Sequence, residues 1–219
     1  MTAEIRDIAI FTTVAAIAAT ALMLVPGVAV AWLLARRDFR GKSLVETLVS
    51  LPLVMPPVAT GLLLLWLFSR RGPLGAALAR IGIEIVFTPA AVVIAMAVMG
   101  LPLLVRTARA GFEQVTRRYE QIAETLGAGP WRVFSTVTLP LAARNILAGA
   151  VLGFSRALGE FGATIVVAGS IPGRTRTLAV GIYSFTESGQ DEQAAVLLAI
   201  SVVIAFAAVL ASNRLAREA

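Results

Sequence analysis

Residues 8–35, IAIFTTVAAIAATALMLVPGVAVAWLLA, contain no Asp, Glu, Lys or Arg. A helix needs about 20 apolar residues to cross roughly 30 Å of hydrocarbon, so this run is long enough for one span. Residues 47–68 and 193–213 are equally free of charge, and 85–106 is free of it up to Arg106. Residues 144–168 are apolar beyond Arg144 except for Arg156 and Glu160. Membrane strands would be about half as long and would alternate in polarity, which none of these runs does. The expected fold is therefore an all-α membrane protein, one transmembrane domain over 1–219 with about five spans at 8–35, 47–68, 85–106, 144–168 and 193–213.

Composition agrees: 58% of the 219 residues are hydrophobic and 15% charged, with a mean hydropathy of +0.85. The first run is expected to be a retained helix rather than a cleaved signal. Its flank of Glu4, Arg6 and Asp7 is not net positive, and the run exceeds the roughly 7–15 apolar residues of a signal core.

Cysteine and histidine are absent. That removes disulfides, thiolate and imidazole metal sites, haem ligation and any Ser/His or Cys/His nucleophile pair. No catalytic residue, metal ligand or cofactor is expected. Gly41-Lys42-Ser43 looks like the end of a phosphate loop, but that motif needs a glycine at position 36, which is Arg36. The net charge of +6 is not taken as a nucleic-acid signal, because basic residues at the ends of apolar helices report orientation.

Sorting those residues by loop is informative. Arg36, Arg37, Arg40, Lys42, Arg106, Arg109, Arg117, Arg118, Arg132, Arg144, Arg214 and Arg217 fall on one side; Arg6, Arg70, Arg71, Arg80, Arg174 and Arg176 fall on the other. Positively charged loops stay in the cytoplasm, so a multi-pass protein of the cell (inner) membrane is expected, with its N-terminus outside and its C-terminus cytoplasmic.

Two constellations lie within the spans. At 100° per residue, Gly149, Gly153, Arg156 and Glu160 fall within roughly 60° of one another, and Ala163 and Val167 continue the stripe. Charged residues on that stripe must face protein or a water-filled cavity, since each would cost about 2.5–3.5 kcal/mol at mid-membrane. Arg156 and Glu160, four apart, are either a neutralised packing pair or a polar lining suited to an anion. Pro52, Pro56 and Pro57 interrupt the second run, while Pro26 and Pro102 interrupt two others. Proline frees carbonyls that neighbours, water or hydroxyls such as Thr60 must satisfy. Such broken helices mark either a substrate route or a kinked joint.

Between the third and fourth spans, residues 107–144 read TARAGFEQVTRRYEQIAETLGAGPWRVFSTVTLPLAAR. Tyr119, Ile122, Ala123 and Leu126 recur at helical spacing. Thr116 can cap that helix, Gly127 or Gly129 can end it, and Pro130 suits the first turn of another. A helical hairpin on the membrane surface would have the same pattern.

Glu120-Gln121-Ile122-Ala123 with Gly127, then Leu139-Pro140, resembles the E-x-x-A-x-x-x-G and distal L-P signature of ABC-transporter permeases, with Gln121 departing from the usual alanine. Residues 50–57 (SLPLVMPP) and 156–164 (RALGEFGAT) resemble the molybdate and sulfate importers of that family. The likeness runs from Gly27 to the last span. It implies the type I ABC importer permease architecture, with a cytoplasmic coupling segment at 107–143 docked on an ATPase subunit through Glu120, Ala123, Gly127, Leu139 and Pro140. Pro52, Pro56, Pro57, Arg156 and Glu160 are the pathway or gate candidates. The implied partners are a pair of cytoplasmic ATP-binding subunits, a periplasmic or extracellular oxyanion-binding protein and lipid. Five helices are too few to enclose a pathway, so a homodimer with the pore on its two-fold axis is expected. The short length and the run Leu126–Phe134 resemble molybdate (or tungstate) permeases, with a sulfate or thiosulfate permease as the alternative. An intramembrane enzyme using Glu160 lacks a partner nucleophile, and a membrane scaffold would also use a docking segment.

Overall fold

A computed structural model describes residues 3–217, and every regular element among them is a helix. Helix α1, Ala3–Arg36, runs unbroken through Pro26. At 1.5 Å per residue it is about 50 Å long, so its ends project beyond the hydrocarbon layer. The chain turns at Gly41, whose φ of 93° suits glycine, into α2, Lys42–Val54, followed by α3, Pro57–Phe68, and the short α4, Pro73–Ala79. Helix α5 is Pro89–Gln114 and α6 is Arg117–Thr125. Helix α7, Pro130–Val133, continues through a single π-turn, Phe134–Thr138, into α8, Leu139–Leu158. Helices α9, Gly162–Ala168, α10, Leu178–Glu187, and α11, Asp191–Arg217, complete the chain. Pro57, Pro73, Pro89 and Pro130 each open a helix, where the missing N–H is not needed.

Among the described residues, four helical stretches are long and apolar enough to cross a membrane: Ala3–Arg36, Pro89–Gln114, Pro130–Leu158 and Asp191–Leu210. The second apolar run is instead a bent pair, α2 and α3 meeting at 115°. Met55 and Pro56 each precede a proline, which pushes both into extended backbone, with ψ 145° and 132°. Pro52 lies inside α2 and breaks nothing.

Residues 144–168 are not the single helix expected from their hydropathy. Helix α8 stops at Leu158 and α9 starts afresh at Gly162. The Glu160 carboxylate accepts the Ala163 N–H at 2.7 Å, offering the backbone a cap in place of another helical turn. Nor is 107–143 a separate region. Helix α5 runs on to Gln114 and the helix ending at Leu158 begins at Pro130, so only α6 and its flanking turns stand apart. Loss of charge marks where lipid can lie, whereas a helix continues until its backbone is capped or blocked.

Helix α5 is central, packed on α1 and α8; α11 lies on α8 and α10, and α3 lies on α9. The contacts are close because glycines sit at the crossings. A Cβ on Gly100 would stand 2.8 Å from the Gly153 carbonyl oxygen, and one on Gly27 would stand 2.7 Å from Leu104 Cδ2. Gly149 faces Leu104 and Thr107 of α5. Among lipid tails, this kind of van der Waals contact holds helices together without a hydrophobic driving force between them. Large apolar side chains such as Val25, Val54, Trp66 and Phe206 point outward. Only 17% of the apolar window of α11 is buried.

Candidate functional site

Ion pairs of basic side chains mark both ends of α1. At its start, Arg176 pairs with Glu4 at 3.0 Å and donates from Nε to the Ser170 hydroxyl at 3.2 Å, which ties the 169–177 loop to the N-terminal end. At its other end, Arg36 reaches Glu120, while Arg109 bridges Glu46 and Glu113, each at 2.7 Å. Lys42, donating to Asp38, holds that exposed carboxyl below its ordinary range. Arg217, counted with the basic end, has a side chain outside the described residues.

The most organised polar cluster is at this basic end. Glu120 sits in the first turn of α6 with its side chain 18% exposed, beside an Arg36 side chain 10% exposed. One carboxylate oxygen, Oε1, accepts from Arg36 Nη2 at 3.0 Å and from the Thr138 hydroxyl at 2.6 Å. The same Nη2 donates to the Val115 carbonyl at 2.9 Å. Phe134, in the π-turn, stacks 5.6 Å from both Trp32 and Trp131 and 6.4 Å from Phe112. A cleft of about 300 Å³ opens between Arg36, Arg37, Arg117, Glu120 and Glu124. Thr116 occupies the capping position of α6, but its hydroxyl makes no cap bond.

The opposite face of α6 is bare. Tyr119 and Ile122 are about half exposed, and Leu126 and Trp131 are 82% and 78% exposed. Gly127, with φ of 85°, turns the chain so that the Ala128 N–H bonds the Ala123 carbonyl at 3.0 Å, closing the helix as glycine-terminated helices do. Glu120, Ala123 and Gly127 thus share one helix and its turn. Leu139 and Pro140 open α8 instead, with Leu139 packed on the cluster of Ala31, Leu34 and Phe112. Arg36 and Thr138, the partners of Glu120, had no sequence signal as such. Arg36 is 84 positions away and is legible only as an orienting charge.

A second cluster lies where the helices break. Glu160 is 1% exposed; its Oε2 pairs with Arg156 Nη1 at 2.7 Å and its Oε1 caps α9. Both carboxylate oxygens of Glu160 are thus engaged. Gly162 lies against Pro57, where a Cβ would stand 2.7 Å from the proline Cβ, and Gly61 lies against Ala163, where it would stand 2.8 Å from backbone. The break after α2 and the break after α8 therefore abut, with Pro57 against Gly162, two residues beyond Glu160. Pro52 is a turn away on α2. Thr60 does not satisfy a freed carbonyl as expected: its hydroxyl is buried without a hydrogen-bond partner. Among the described residues no three His, Cys, Asp or Glu side chains converge.

The description "Binding-protein-dependent transport system inner membrane component" belongs to a protein family whose profile matches residues 27–217. The molybdenum transport system permease protein of Escherichia coli is 47% identical over 87% of this chain and 84% of its own length. A "probable sulfate transport system permease protein" of Marchantia polymorpha is 33% identical over 94% of this chain and 71% of that protein. In fold, the chain superposes on a bacterial ABC transporter involved in import of the acidic polysaccharide alginate with a TM-score of 0.75. That match covers 100% of this chain and 80% of the other, at 16% identity.

Proposed function

The chain belongs to the family of binding-protein-dependent transport system inner membrane components, and from that premise we propose that it is the permease subunit of an ATP-driven importer of molybdate, with tungstate as a close substitute. It has the type I ABC importer permease architecture and supplies the passage, while hydrolysis takes place in cytoplasmic ATP-binding subunits and capture in an extracytoplasmic oxyanion-binding protein. Two copies enclose the pathway about a two-fold axis, with the basic end cytoplasmic. The sulfate alternative gives way because the molybdenum permease shares more residues with this chain.

The observation that carries the reading is the bare apolar face of α6 and α7. Leu126, at the end of α6, and Trp131, in α7, stand largely exposed at the basic end, and the other face of α6 is latched to the bundle. Exposed large apolar side chains grouped in one patch are the mark of a docking surface. In this arrangement ATP-driven closure of the docked subunits moves α6, and the bundle rocks between outward and inward openings. The abutting breaks at Pro56–Pro57 and at Arg156–Glu160 are where the pathway opens and shuts, with Pro52 a turn away on α2, since a helix already broken can hinge there without losing backbone bonds.

Co-reconstituted in vesicles with its ATP-binding subunits and binding protein, the chain should support ATP-dependent molybdate accumulation. Tungstate should compete and a large molar excess of sulfate should not. Sulfate accumulation at a comparable rate overturns the substrate, and failure of an ATP-binding subunit to co-purify overturns the permease reading.

A further inference from the structure

The signature glutamate of α6 lines the cleft beside Arg36 and Arg117 and directs its bonded oxygen inward. Tyr119, Ile122, Leu126 and Trp131 are open, whereas the Glu120 carboxylate is turned into the bundle and lies against Arg36 and Thr138. We infer that Glu120 is a positioning residue and not a docking contact: it is the joint that carries a displacement of α6 into α1 and α8. This rests on the reading of α6 and α7 as the ATPase docking surface.

Three features support a joint. First, a single oxygen, Oε1, holds donors from two elements remote in sequence, Arg36 at the end of α1 and Thr138 at the end of the π-turn. A shift of α6 must drag both or break both. Arg36 also fastens the Val115 carbonyl between α5 and α6, so the joint includes the exit of the central helix. Second, the pair is largely shielded from water, which makes its loss costly and its geometry specific. Third, the element it grips is the one weak turn in the Pro130–Leu158 helix. A π-turn inside an α-helix marks a site of local adjustment, and Phe134 within it is clasped by Trp32 and Trp131. Helix α1 is uninterrupted from Arg36 back to Met23, which lies against Gly100 and Gly153 at the crossing of α5 and α8. A pull on Arg36 is thereby felt in the core. Arg36 Nε is itself buried without an acceptor, leaving the guanidinium a donor free for a second arrangement of the joint.

The test uses the whole complex in vesicles, with molybdate uptake and ATP hydrolysis measured in the same sample. Glu120→Gln keeps the shape and removes the charge. The ATP-binding subunit should still co-purify, while molybdate taken up per ATP hydrolysed falls about tenfold or more. Thr138→Val should lower the same ratio in the same direction, and Arg36→Glu combined with Glu120→Arg should recover part of it. A merely structural role would lower both activities together and leave the ratio unchanged, which overturns the inference. Loss of the ATP-binding subunit from Glu120→Gln also overturns it, because Glu120 would then be a docking contact. Trp131→Ala separates the premise: if the subunit remains bound and uptake is intact, the docking reading itself fails.

Discussion

Arg156→Met should destabilise the protein more than Glu160→Gln, and the double substitution should recover most of the difference. In the wild type, Arg156 Nη1 lies 2.7 Å from Glu160 Oε2, and the two side chains are 27% and 1% exposed. Removing Arg156 strands a buried carboxylate that still accepts the Ala163 N–H. Leaving a buried charge without its partner costs about 3–5 kcal/mol. Removing the charge of Glu160 is milder on two counts. The glutamine oxygen can still cap α9, and Arg156, partly open, can turn toward water, so a cost of about 1–3 kcal/mol is expected, that of a lost charged hydrogen bond. With both changed, no charge remains buried and the cap persists, so the double variant should lie near the milder single. The coupling between the two positions is then about 3–5 kcal/mol, the cost of the Arg156 substitution itself. Denaturant titration in mixed micelles, followed by tryptophan fluorescence, measures all three. Equal single costs that simply add in the double variant would refute the reasoning. If the double variant folds and yet does not transport, the pair also serves the pathway.

Two further outcomes follow from the geometry. Gly100→Ala should destabilise the bundle by about 1–3 kcal/mol through overpacking, because its Cβ meets the rigid Gly153 carbonyl at 2.8 Å. Gly153→Ala should cost less in the same titration, since the nearest atom to its Cβ is the flexible Met23 Cε at 2.4 Å; equal costs would contradict the packing. For orientation, Arg80→Cys and Ser135→Cys both place a thiol at an exposed position. An impermeant reagent added to intact cells, with the outer layer permeabilised, should label the first and spare the second, and the reverse pattern would invert the topology.

Apolar length determined by itself that this chain is a helical membrane protein, and the distribution of arginines predicts which loops share a side. Both are properties of single segments in a known solvent, since every lipid-crossing stretch must satisfy its own backbone. Local chemistry was equally legible where one residue type dictates it, as at Gly127, whose turn needs a positive φ, and at Pro130, which opens a helix. Spacing also brought Arg156 and Glu160 together, because four residues make one turn. What followed from contact between distant segments was not legible. Hydropathy drew 47–68 and 144–168 as continuous spans. The bend at Met55–Pro56 and the restart at Gly162 depend on extended backbone before paired prolines and on a carboxylate that caps a new helix. The abutting of those breaks required Gly162 against Pro57 and Gly61 against Ala163, contacts that no spacing rule predicts. The same holds for Glu120. A sequence motif marked the residue, but only the folded chain put Arg36 and Thr138 on its carboxylate and left Leu126 and Trp131 in the open, because which face of an amphipathic helix is inward is decided by what the rest of the chain packs beneath it.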